Sequence, residues 1–226
     1  MKNFIFILIF FSATLCNASH DIKTNNIHMG EAPEWVTTQK VDAIVDKIQQ
    51  LLEWDIRRIE VYWYKTQSEF ENVHNYGPTV LAISKKSDST VHLGPRVKED
   101  NFNGVFGHEL VHIISFQKYK GAIPLWLEEG LANHLSQQTK VDYHWLTTQP
   151  VPEDVRNLTH PFGGSVDNIR YHYMASQALI EMIADKCDLS NLIRLSVGRK
   201  LEDKLDTYCG IKDITAAFKV WLDKHR

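Results

Sequence analysis

Apolar positions recur along this chain with two different periods. Val41, Ile44, Val45, Ile48, Leu51 and Leu52 fall on one stripe of a helix. "RRIEVYWY" follows, rich in β-branched and aromatic residues, and reads as a core strand. Ahead of the helix, "TNNIHMGE" predicts a short first strand. "TQSEFENVHNY" predicts a short helix capped by Thr66 or Ser68. "PTVLAISKKSDSTVHLG" predicts two strands joined by a polar turn from Lys85 to Ser89. "DNFNGVFGHELVHIISFQKY" is a central helix, capped by Asp100 or Asn101 and ended by Gly121. "IPLWLEEGLANHLSQQ" is the next helix, with Pro124 near its first turn, where proline is tolerated.

From about Thr139 to Asn168 the chain is polar and rich in Pro and Gly, which predicts a long loop with at most short helices. From Tyr171 onward every segment has helical periodicity. Strands and helices come first and helices alone come last. The predicted class is therefore α+β, a small mixed sheet packed on the central helix and followed by an all-helical C-terminal part.

The N-terminus changes this picture at one end. Lys2 precedes an apolar run from Phe4 to Leu15, and "CNA" then offers a small-residue site with cleavage after Ala18. That is the pattern of a secretory signal peptide. The run is shorter than the ~20 residues of a membrane-spanning helix, so the expectation is residues 1–18 removed and no stable membrane anchor. An uncleaved anchor is the alternative. The expected product is secreted or periplasmic. Its residues 19–226 form a single domain, divided into 19–138 for the sheet and two helices, 139–170 for a variable loop and 171–226 for the helical part.

Composition adds limits. A hydrophobic share of 43% supports a packed core, and a net charge of −3 points to neither nucleic acid nor an anionic membrane surface. Beyond Ala18 two cysteines remain, Cys187 and Cys209. In an exported chain they predict one disulfide, with two buried thiols as the alternative.

The candidate chemistry lies in "FGHELVHII". His108 and His112 are four apart, so a helix sets them on one face at about 5–6 Å. Two imidazoles so placed can direct ring nitrogens at one metal ion. Glu109 is next round the helix from His108, where it can take a proton without binding the metal. A random chain of this composition carries such a motif only roughly 0.03 times. A catalytic zinc needs a third protein ligand and an open position. A third histidine six residues after His112, with glycine midway, is excluded, because Ser115 and Lys118 occupy those positions. The cysteines are far downstream and expected to be paired. Glu128 and Glu129 of "PLWLEEGLANHLS" remain, and the residues alone leave both open.

"HELVH" followed by "WLEEGLA" resembles the gluzincin zinc peptidases, and most closely the peptidase MA-like families of secreted bacterial proteins. In that resemblance the glutamate just before the glycine is the zinc ligand, which implies Glu129, 17 residues after His112. It implies a thermolysin-like N-terminal part, one zinc ion per chain and a polypeptide substrate. It further implies that Glu109 is the general base and that Tyr173, in a "Y-x-x-S" context with Ser176, donates to the oxyanion. Asn133, one turn after Glu129, stands where relatives carry an acidic residue that accepts from a ligating histidine. "STVHLGP" is expected to be the edge strand that pairs with an extended substrate. The upstream "GxMEN" segment of the aminopeptidase branch is missing, which favours an endopeptidase. His134, His144 and His160 have no fixed spacing to the motif and read as surface or loop residues. The competing expectation is a zinc-binding module of the cell envelope that holds a peptide without cutting it. The intact Glu109 argues against that.

Overall fold

The computed structural model describes residues 19–158 and 165–226. The predicted signal peptide, with its cleavage site after Ala18, lies outside the described residues. So do residues 159–164 of the long loop, His160 among them.

Two strands open the described chain, β1 (Ser19–Lys23) and β2 (Ile27–Pro33). Only the second was expected. Helix α1 (Thr38–Leu52) follows, with the Thr37 side chain accepting from the Lys40 N–H at its first turn. The stripe behaves as its spacing requires: Val41, Ile44, Val45, Ile48 and Leu52 are buried. Strand β3 (Ile59–Trp63) is the "RRIEVYWY" segment. Helix α2 (Gln67–Glu71) starts at Thr66 in a capping box with Glu69.

Strands β4 (Ala82–Lys85) and β5 (Thr90–Leu93) are joined by a 3-10 turn, Lys86–Asp88. The sheet order is β1-β2-β3-β5-β4, with β2, β3 and β5 parallel and the two outer strands antiparallel to their neighbours. This corrects one expectation. "STVHLGP" holds β5, which is interior; the edge on that side of the sheet is β4. Strand β3 chooses β5 as its parallel partner and so pushes β4 outward.

Alternation along the strands gives the sheet two unlike faces. Ile27, Met29, Ile59, Val61, Val91 and Leu93 are buried and join the helices in one core. Glu60, Tyr62 and His92 point the other way. Tyr62 is 48% exposed and stacks on His92 with ring centroids 5.1 Å apart.

Helix α3 (Phe102–Ile114) carries the motif. Asn101 caps it by position, but its side chain accepts from the Lys98 N–H instead of from a helix N–H. The helix does not run on to Gly121. It passes into a π-helical turn, Ser115–Tyr119. Side chains of that turn are held from outside: Lys118 and the Tyr119 hydroxyl donate to the Leu52 carbonyl at 2.6 and 2.9 Å. Helix α4 (Leu125–Ser136) follows Pro124.

The expected long loop contains a short helix α5 (Tyr143–Leu146) and a 3-10 turn, Val155–Asn157. Hydrogen bonds to the later helices and within the loop tie it down at several points. Tyr143 Oη donates to Glu181, Tyr171 Oη donates to the Pro150 carbonyl, and the Val155 N–H donates to Thr215. The rest is helical: α6 (Val166–Lys186), α7 (Leu189–Leu195), α8 (Glu202–Cys209) and α9 (Ile214–Asp223). Cys187 and Cys209 form the expected disulfide, joining the end of α6 to the end of α8. The chain is thus a mixed α and β fold, with nine α-helices and one five-stranded mixed sheet among the described residues.

Candidate metal centre

Helix α3 lies against α1, the sheet and α4, so little of its surface reaches water. His108, Glu109 and His112 are each less than a tenth exposed. The i, i+4 spacing does what it promised: His108 Nε2 and His112 Nε2 are 3.1 Å apart. Helix α4 brings Glu129 to both. Its Oε2 is 3.2 Å from His108 Nε2 and its Oε1 is 3.4 Å from His112 Nε2. One ligand atom from each residue lies within 4.8 Å of the others.

These distances fit a metal ion. Bonds of about 2.0–2.1 Å at tetrahedral angles place neighbouring donor atoms roughly 3.3 Å apart. Glu129 Oε2 is buried and makes no well-directed hydrogen bond despite its 3.2 Å approach to His108 Nε2, and a cation between the three groups would satisfy it. The charges agree. Glu109, Glu128 and Glu129 bring three carboxylates to the two histidines, and Lys86, paired with Glu128, brings one ammonium, leaving an excess of two negative charges when both imidazoles are neutral. A divalent ion cancels that excess.

Glu128 and Glu129, left open by the residues alone, are separated by their contacts. Glu129 faces the inner ring nitrogens. Glu128 turns outward, where its Oε1 accepts from His112 Nδ1–H at 3.1 Å and from Lys86 Nζ at 2.6 Å. A proton held on Nδ1 leaves the Nε2 lone pair of His112 directed at the ion position, as ligating histidines require. Asn133 does not supply this bond. It is buried, with Nδ2 lacking a partner, and His108 Nδ1 is likewise buried and unpartnered.

The electrostatics follow from the same contacts. Burial pulls the His112 imidazolium down, but the Glu129 charge and the hydrogen bonds of Glu128 and Glu129 outweigh it and hold His112 well above the ordinary range. Burial pushes the Glu129 carboxyl up, and the two histidines more than reverse this, holding it well below the carboxylate range. Glu128 is similarly brought down to about 2 by His112 and Lys86 against burial. An ion entering here displaces a tightly held proton.

Tyr173, on α6, sits with its ring centroid 6.5 Å from that of His108. Burial first, then the charges of Glu129 and Glu109, raise its phenol far above the ordinary value. It therefore keeps its proton and remains a donor. Ser176, one turn on, has a different task. Its hydroxyl donates to the Trp126 carbonyl and accepts from the Gly130 N–H, both at 2.9 Å. This clamp seats α4 on α6 beside Glu129. Gly130 is required there, because a Cβ would overlap the Ser176 carbonyl and lie 2.7 Å from the Gln177 nitrogen. Of the remaining histidines, His144 is exposed as expected, whereas His134 is half-buried on α4.

Comparison with protein-family models and with curated proteins gives no match. The His108, His112 and Glu129 group therefore rests on its own geometry as a site able to hold a metal ion. Sequence reasoning named Glu128 only as a rival for the third ligand, and it missed the outer role of Glu128 and all of Lys86. "EEG" signalled that a second acid was near; nothing marks Lys86 among the polar residues of its turn.

Proposed function

We propose that this chain is an exported zinc metallopeptidase of the gluzincin type, akin to the peptidase MA-like families, that cleaves within polypeptides. The observation carrying the reading is the convergence of His108, His112 and Glu129 from "HELVH" and "EEGLA" at donor distances suited to one ion. The disulfide supports an oxidising compartment. A sheet packed on α3, with α4 supplying the third ligand, supports a thermolysin-like N-terminal part.

His108, His112 and Glu129 would hold the zinc, which supplies Lewis acidity to water and to the scissile carbonyl. The chain's own groups do the rest. Glu109 takes a proton from the attacking water and delivers it to the amide nitrogen as the C–N bond breaks. Tyr173, kept protonated, donates its O–H to the carbonyl oxygen as negative charge develops there. An extended substrate would pair along β4, the edge strand, rather than along β5.

The test measures zinc per chain and cleavage of an unstructured protein such as casein, in wild type and in Glu109→Gln. One zinc per chain, with cleavage lost in a variant that still holds zinc, is the expected result. Stoichiometric zinc with no cleavage across a broad substrate panel would instead favour a peptide-holding module, and absence of stoichiometric metal would sink both.

A further inference from the structure

We propose that Lys86 is a positioning residue of the metal centre, anchoring Glu128 and, through Glu128, fixing the His112 ring with Nε2 toward the ion. This rests on the zinc-site reading above.

Three observations carry it. First, one oxygen serves both contacts: Glu128 Oε1 accepts from Lys86 Nζ at 2.6 Å and from His112 Nδ1 at 3.1 Å. The ammonium therefore sits one atom away from the bond that orients the ring. Second, Glu128 and Glu129 are neighbours on α4, about 100° apart around the helix. Either could reach an ion if the helix turned or if Glu128 swung inward. An ammonium on the outer side holds Glu128 away from the ion and leaves the inner place to Glu129. It also offsets the repulsion between two adjacent, largely buried carboxylates, whose side chains are 14% and 17% exposed.

Third, Lys86 is presented by a turn that is braced against the histidine helix. It opens the 3-10 turn between β4 and β5. Gln117, in the π-helical continuation of α3, donates through Nε2 to Ser89 Oγ at the end of that turn, at 3.2 Å. Gln117 also accepts from the Arg57 N–H at 3.0 Å. The sheet edge, α3 and α4 are thus linked around His112, with Lys86 crossing from the first to the last.

The experiment loads purified full-length chain with zinc and with cobalt(II), in wild type, Lys86→Met, Lys86→Arg, Glu128→Gln and Lys86→Met/Glu128→Gln. Zinc affinity is read by competition with a chromophoric chelator, and ligand geometry by the visible spectrum of the cobalt form. Partners of metal-ligating histidines are worth about 10–100-fold in affinity. Lys86→Met is expected to weaken zinc about 10-fold and to shift the cobalt bands. Lys86→Arg is expected to restore both, and the double variant to be no weaker than Glu128→Gln. Lys86→Met binding zinc as wild type does, or losing the same factor again in the Glu128→Gln background, overturns the proposal while leaving the zinc site standing. A wild type that takes up no zinc overturns the zinc-site reading itself, and this proposal with it. Should Lys86→Met fail to fold by circular dichroism, Lys86→Gln enters the same comparison.

Discussion

Adjacent glutamates on α4 meet opposite ring nitrogens of His112, and single substitutions should separate them. Glu129→Gln removes a charge from between two imidazoles and is expected to abolish stoichiometric zinc binding in dialysis followed by metal analysis. Glu128→Gln keeps an acceptor for His112 and should retain zinc at an affinity lowered about 10–100-fold. At this scale the sequence was most legible where chemistry is local. His108, Glu109 and His112 lie on one helix, so their spacing alone states their geometry. Glu129 needed a resemblance, because the choice between it and Glu128 depends on how α4 is rotated against α3. Lys86 was invisible, since its partner lies 42 residues away on another element. His92 is a further residue with a readable consequence. Burial first, then Lys85, brings its imidazole down to about 4, and it bonds Tyr64 and Thr90 within the folded sheet. Its folded value lies below the ordinary 6.5, so the fold favours the neutral ring. Its contribution is intact above about pH 6.5 and is lost as pH falls toward about 4. Urea unfolding across that window should show a steeper decline in wild type than in His92→Gln.

Elements were legible in type and less so in placement. The stripe of α1, the capping box of α2 and the C-terminal helices follow from local periodicity and caps. The edge of the sheet does not. A hairpin such as β4–β5 is legible from its two apolar runs and polar turn, but which strand faces outward is decided by β3, whose Glu60 pairs with Thr90 of β5 across 30 positions of sequence. Strand β1 went unread because it begins at the expected cleavage site and carries little apolar alternation. Helix α4 approaches α6 closely at Gly130, and there packing is unforgiving. Gly130→Ala places a methyl group against the Ser176 carbonyl and the Gln177 nitrogen. It should cost about 1–3 kcal/mol or more in chemical unfolding, and zinc affinity should fall with it because Glu129 is the neighbouring residue.

Across the whole molecule, the disulfide and the candidate metal site stand apart. The bond closes a loop of 22 residues, worth about 3 kcal/mol in the chain-entropy model. Along α6, Cys187 is fourteen residues beyond Tyr173, about 21 Å at the rise of an α-helix. Reduction should therefore lower the thermal midpoint while leaving zinc stoichiometry unchanged; a loss of zinc on mild reduction would show the two to be coupled. The clamp between Gly130 and Ser176 has a consequence in time. Both histidines and both glutamates are synthesised before residue 130, but the helix that seats α4 begins at Val166. A growing chain carries His108, His112, Glu128 and Glu129 long before it owns the helix that seats α4. On the exported-peptidase reading proposed above, cutting ability would wait on roughly the last quarter of the polypeptide, where α6 begins, and a half-emerged chain would have no finished blade to turn on itself.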